Sequence, residues 1–120
     1  MVDFKQKEKY DINDLLEIMR LLRAPGGCPW DAQQTHMSIR KNLIEETYEV
    51  IEAIDKDDKE LMTEELGDLL MQVVFHAQME QEAGNFDFGD VTDGVCKKLI
   101  ERHPHVFGEV EVSGVGDVLN

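Results

Sequence analysis

Apolar positions recur along the chain with the three-and-four spacing of α-helices, and no segment alternates convincingly in the manner of a strand. In DINDLLEIMRLLR, residues Ile12, Leu15, Leu16, Met19 and Leu22 share one helical face, and Asp11 is placed to cap its start. The pattern stops at APGGCP, where Pro25, two glycines and Pro29 prevent continuation. WDAQQ reopens a short helix, with Asp31 as its expected N-cap and Gln34 at the third position. A second long pattern covers roughly residues 36 to 55, with Leu43, Thr47, Val50, Ile51 and Ile54 as its inward stripe. After the polar connection DKDDK, a third runs over roughly residues 59 to 82 and is apolar on most sides from Leu69 to Met79. EAGNFDFGD forms the next turn. Asp90 is expected to cap a fourth helix, Val91, Val95 and Leu99 to face inward, and Pro104 to end it.

Four amphipathic helices with short connections predict an all-α, four-helix bundle-like domain spanning residues 1–120. The Gly- and Val-rich tail from about residue 109 reads as a flexible end or a cut into something longer. A third helix that is apolar nearly all round needs more cover than a chain of 120 residues supplies, so a homodimer or higher homo-oligomer with a shared helical core is expected.

Charge narrows the partners. The chain carries 26 Asp and Glu against 12 Lys and Arg, a formal charge of −14. Such a surface repels nucleic-acid polymers and anionic membranes. A small anionic ligand is admissible where metal ions stand between it and the carboxylates. Cys28 and Cys96 form no metal-ligand spacing, no apolar leader opens the chain, and no stretch is long enough to span a bilayer. The expected setting is the cytoplasm.

The carboxylates are the candidate chemistry. At about 100° per residue, Glu46 lies roughly 90° from the centre of the second helix's apolar stripe, at its border. Glu49 follows one turn on, while Glu45 and Glu52 face nearly opposite. Glu65 and Asp68 repeat the three-residue spacing on the third helix, and Gln72 and His76 continue their narrow polar stripe. Any one of these glutamates is best read as solvated surface. Together, on antiparallel helices, the two pairs can face each other. Four like charges in one cleft raise one another's pKa, a penalty that divalent cations reverse. Oxygen-only ligands point to Mg²⁺ or Mn²⁺ and to metal-assisted phosphoryl chemistry. Lys98 and Arg102 share a face of the fourth helix, either as a surface pair favourable to the helix C-terminus or as phosphate contacts. Arg40 and Lys41 are weaker candidates for that second role.

The segments GGCPWDAQQTH, EETYEVIEAID, EELGDLLMQVVFHAQM and ERHPHVFGEV, in this order, resemble the MazG family of nucleotide pyrophosphohydrolases, from about residue 20 to 108. The family pattern EExxE…ExxD reads here Glu45-Glu46-x-x-Glu49 and Glu65-x-x-Asp68. The resemblance implies a dimeric all-α enzyme that hydrolyses nucleoside triphosphates to monophosphate and pyrophosphate with Mg²⁺. It implies Glu46, Glu49, Glu65 and Asp68 as metal ligands, and Lys98 and Arg102 as triphosphate contacts. By the same resemblance Glu45 either supports the metal ligands from behind or activates water. Trp30 is either a core anchor or a surface on which a base stacks. The DFG at 87–89 lacks every other kinase element, and His103 and His105 around Pro104 read as a turn. The rival reading is a non-catalytic dimerisation or regulatory module of a larger protein.

Overall fold

The computed structural model describes residues 1–108. They form helices α1 (Ile12–Arg23), α2 (Pro29–Gln33), α3 (His36–Asp55), α4 (Lys59–Glu82), α5 (Phe88–Arg102) and α6 (Pro104–Phe107), with no strand among the described residues. The all-α expectation holds, and the bounds of α3 and α4 agree with the hydrophobic pattern.

Local chemistry sets the ends. Asp11 caps α1 in a reciprocal box with Asp14, and Thr35 caps α3 in the same way with Ser38. Two expected caps move. Asp87, not Asp90, caps α5, and Asp90 sits three residues on as the returning side chain of the box. In α2, Cys28 takes the cap position and Pro29 the first turn, leaving Asp31 inside the helix and Gln34 at its end. Proline at a first turn loses no hydrogen bond, which is why the helix begins earlier than the WDAQQ reading.

Both long helices close with a left-handed residue. After α3, Asp57 has φ +51°, with Asp57 N–H donating to the Ile54 carbonyl and Asp58 N–H to the Ala53 carbonyl. After α4, Gly84 has φ +79°, and Asn85 N–H donates to the Glu80 carbonyl. Glycine also decides the α1–α2 corner. Gly26 has φ +88°, and a Cβ on Gly27 would fall 2.1 Å from the Leu21 carbonyl oxygen. That close approach lets Cys28 N–H reach the Leu22 carbonyl at 2.8 Å.

The main packing is α3 on α4, with α1 and α2 laid across one end. Met19, Ile39, Val74, Phe75 and Met79 make the buried core, with Leu15, Leu16 and Phe88 against it. Each such side chain contributes about 1.5–3 kcal/mol by leaving water. Arg23 ties the corner together. Its guanidinium lies 5.5 Å from the Phe75 ring centroid, pairs with Glu82 at 2.9 and 3.0 Å, and donates to the carbonyls of Asp31 and Gln34.

The inward stripes are only partly inward. Val50 and Ala53 are buried on α3, but Ile51 and Ile54 are exposed. Helix α5 has no buried residue, and Val91, Val95 and Leu99 stand open to solvent. Among the described residues, no helix of the same chain covers these faces. Its radius of gyration is 18.2 Å, against about 14 Å for a compact chain of this length. No described helix is long and apolar enough to cross a membrane.

Candidate metal centre

A short three-residue connection, Lys56 to Asp58, turns the chain back on itself, so α3 and α4 run antiparallel. Residues early in α3 therefore face residues late in α4, and the middle of each faces the middle of the other. Glu46 and Glu49, one turn apart on α3, meet Glu65 and Asp68, one turn apart on α4. One carboxylate oxygen from each of the four lies within 4.8 Å of all the others. Glu65 is buried, Glu46 and Asp68 are half-buried, and Glu49 is exposed.

The group lacks internal compensation. No ion pair reaches any of the four among the described residues, and Glu46 Oε2 and Glu65 Oε2 are buried without a hydrogen-bond partner. The Glu46 carboxyl is held above the ordinary range by burial and then by the charges of Glu49 and Asp68. Glu65 is pushed up to about 7. The hydrogen bond that its protonated form shares with Glu49 is the largest cause, followed by burial and the charges of Glu49, Asp68 and Glu46. A divalent cation supplies what this arrangement lacks: positive charge and a partner for two orphaned oxygens. Four oxygen donors from rigid helices suit a hard ion, so the residues present fit one.

The other sequence candidates lie outside this group. Glu45 is exposed on α3. Lys98 and Arg102 are exposed on α5, and neither forms an ion pair with the four acids among the described residues; their neighbour Lys97 pairs with Asp93 at 2.8 Å. Arg40 and Lys41 are exposed on α3. Trp30 is 59% exposed, its carbonyl accepting from Gln34 Nε2, so the core-anchor reading of Trp30 is corrected: α2 lies on the surface and leaves the indole open. His103 accepts the turn role, with Nδ1 2.6 Å from the Leu99 carbonyl oxygen.

Along the polar stripe of α4, Gln72 is buried with Oε1 unpartnered, and His76 meets His36, Nδ1 to Nδ1, at 2.7 Å. The sequence reading passed over His36. Its only signal was position: at the first residue of α3, an antiparallel partner brings it to the height of His76.

Residues 34–107 match the MazG nucleotide pyrophosphohydrolase domain. The chain is 56% identical over 96 residues to the nucleoside triphosphate pyrophosphohydrolase/pyrophosphatase MazG of Thermotoga maritima, covering 80% of this chain and 38% of that protein. It is 50% identical over 109 residues to the nucleoside triphosphate pyrophosphohydrolase of Escherichia coli K12, covering 90% of this chain and 41% of that one. It thus spans about two-fifths of the length of these two relatives. A solved structure, a mazG-related protein from Thermotoga maritima, superposes with a TM-score of 0.73 at 30% identity, covering 90% of this chain and 92% of that one. With the matched region taking in all four converging carboxylates, the chain belongs to the MazG nucleotide pyrophosphohydrolase domain family.

Proposed function

We propose that this chain hydrolyses nucleoside triphosphates to nucleoside monophosphate and pyrophosphate with Mg²⁺, or Mn²⁺ in its place. The observation that carries the proposal is the convergence of Glu46, Glu49, Glu65 and Asp68 around two buried, unpartnered oxygens. The activities for which the Thermotoga and Escherichia relatives are named support it.

In this reading Glu46, Glu49, Glu65 and Asp68 would hold the ions, which would supply positive charge against the phosphates and a more acidic water. The protein's part is placement. Two helix backbones fix the carboxylates before substrate arrives, so little reorganisation remains for the reaction itself. Glu65, protonated near neutrality in the metal-free protein, gives up that proton as the site loads. Glu45 stands one residue outside the ligand set, where it acts on water or on its neighbours rather than as a ligand. Lys98 and Arg102 bind phosphate oxygens, Arg102 with a fork that matches them. The open indole of Trp30 offers a stacking face to a base.

A homodimer belongs to this proposal. The uncovered apolar faces of α3 and α5 are complementary in kind, and a second copy covers them while bringing α5 cations to a shared site. The two unpaired thiols, Cys28 and Cys96, suit a reducing cytoplasm. The rival module reading is disfavoured because all four acids are present and converge.

The test is a panel of common and modified nucleoside triphosphates with Mg²⁺ and with chelator, read as pyrophosphate. Metal-dependent pyrophosphate release from at least one member is expected. Orthophosphate alone, or no turnover across the panel, overturns the proposal.

A further inference from the structure

Two turns beyond Asp68, α4 carries a second polar group against α3, and its hydrogen bonding has two self-consistent forms. The rings of His36 and His76 are parallel within 3°, with centroids 5.0 Å apart and Nδ1 atoms 2.7 Å apart. Two bare ring nitrogens at that separation repel, so one hydrogen lies between them. On the far side of His36, Nε2 lies 3.2 Å from Glu80 Oε1, and Asn85 donates to Oε2 of the same carboxylate. A carboxylate only accepts, so His36 Nε2 carries hydrogen in either form. On the far side of His76, Nε2 is buried without a partner. One turn back along α4, Gln72 Oε1 is also buried and unpartnered, in a residue only 4% exposed.

With both rings neutral, His36 Nδ1 accepts from His76 Nδ1–H. His76 Nε2 is then a bare lone pair, one turn from Gln72 Oε1, a second buried acceptor without a partner. Uptake of one proton inverts the order. The proton enters at His76 Nε2, and the bridging hydrogen passes from His76 Nδ1 to His36 Nδ1. His36 becomes an imidazolium between Glu80 and a still neutral His76. His76 Nε2–H is now a donor one helical turn from an acceptor that lacks one, within reach of a side-chain rotation. His76 Nε2 and Gln72 Oε1, both unpartnered before, then satisfy each other.

We infer that Glu80, His36, His76 and Gln72 form a proton-driven interlock between α3 and α4, in which one proton from water charges His36 and switches the tautomer of His76. Of the two rings, His36 is the one that faces a carboxylate, Glu80, and the more exposed. Burial, and then the charge of His36, hold the His76 imidazole below its ordinary range. Glu80 is held low by Asn85 and then His36, and stays a carboxylate. At this end of the bundle α1 contributes Arg23, already engaged with Glu82 of α4, α2 contributes the partly exposed Asp31, and α3 contributes the exposed Arg40. The interlock ends one turn from Asp68, so the proton sets hydrogen-bond polarity beside the carboxylate group without titrating any of its members.

Long-range ¹H–¹⁵N spectra of the full, ¹⁵N-labelled chain in chelator read each imidazole tautomer directly, with His36→Gln and His76→Gln assigning the signals. At pH 8 His76 is expected as the Nδ1–H form and His36 as the Nε2–H form. On acidification His36 should gain its second N–H in the same step in which His76 becomes Nε2–H and remains neutral. Gln72→Leu should move that step to lower pH by about one unit, the tenfold loss in proton affinity equivalent to one hydrogen bond. Glu80→Gln should move it the same way. His76 already in the Nε2–H form at pH 8, or separate titration of the two rings, overturns the inference from the wild-type spectra alone. A step unmoved in folded Gln72→Leu overturns the closure onto Gln72.

Discussion

Loading the carboxylate group with metal should stabilise the folded chain by an amount that can be worked in advance. Unfolding separates α3 from α4 and disperses Glu46, Glu49, Glu65 and Asp68, so a divalent cation binds the folded state alone. Mg²⁺ at a hundredfold excess over its Kd then adds about 2.7 kcal/mol. Unfolding entropy near the midpoint is about 2.1 cal/mol/K per residue, or about 0.25 kcal/mol/K for this chain. The melting temperature should therefore rise by about 10 °C between chelator and saturating Mg²⁺, measured by calorimetry at pH 8. Glu46→Gln and Asp68→Asn each remove one ligand and relieve repulsion, so both should raise the metal-free midpoint and shrink the metal-induced shift. Glu52→Gln is the control, because Glu52 pairs with Lys56 at 2.7 Å on the far side of α3. It should leave the Mg²⁺ shift intact. A shift equally reduced in Glu52→Gln and Glu46→Gln, or absent from the wild type, would refute the assignment of the metal to these four acids.

Acidity should act on the same site through Glu65. Its carboxyl is raised to about 7 in the metal-free fold, so between the ordinary carboxylate range and pH 7 the folded chain holds a proton that the unfolded chain has released. Metal-free stability should fall as pH rises through that window and level off above it, while Mg²⁺ affinity weakens about tenfold per pH unit below 7; titration calorimetry at pH 6, 7 and 8 checks the second arm. Lys98→Ala and Arg102→Ala should each weaken triphosphate binding roughly 10- to 100-fold with unchanged melting, since charge-assisted contacts are worth about 1.5–3 kcal/mol and both residues are exposed; unchanged kinetics in both would return them to the surface-pair role. Asp57→Gly should stabilise the chain by about 1 kcal/mol in chemical denaturation, because Asp57 holds φ +51° at an exposed helix end. Arg23→Met should cost about 2 kcal/mol, because it strips partners from Glu82 and from the carbonyls of Asp31 and Gln34 while keeping a stem against Phe75.

The helices and the pairing of acids were legible in the sequence because both rest on local periodicity. Apolar spacing located α3 and α4, and the same 100° rotation put Glu46 with Glu49, and Glu65 with Asp68, on single edges while turning Glu45 away. Caps were legible as residue types and only in part as positions: Asp11 caps α1 as expected, whereas Asp31 and Asp90 do not cap their helices. Asp87 and Asp90 are equally good caps by composition, and only the backbone of the turn decided between them. Burial was not legible for α5. Val91, Val95 and Leu99 mark an apolar face, yet nothing local says whether the same chain covers it, and among the described residues nothing does. Trp30 went the same way, an aromatic residue left on the surface by the corner that Gly26 and Gly27 build. What only the tertiary structure decided are meetings across distance: the convergence of two acidic pairs within 4.8 Å, and the approach of His36 to His76 across forty positions of sequence. Periodicity fixes which side of a helix a residue occupies. The antiparallel register of α3 on α4 fixes which residue it meets, and that register follows from the length of the connection and the packing of Ile39, Val74 and Phe75, which no single segment contains.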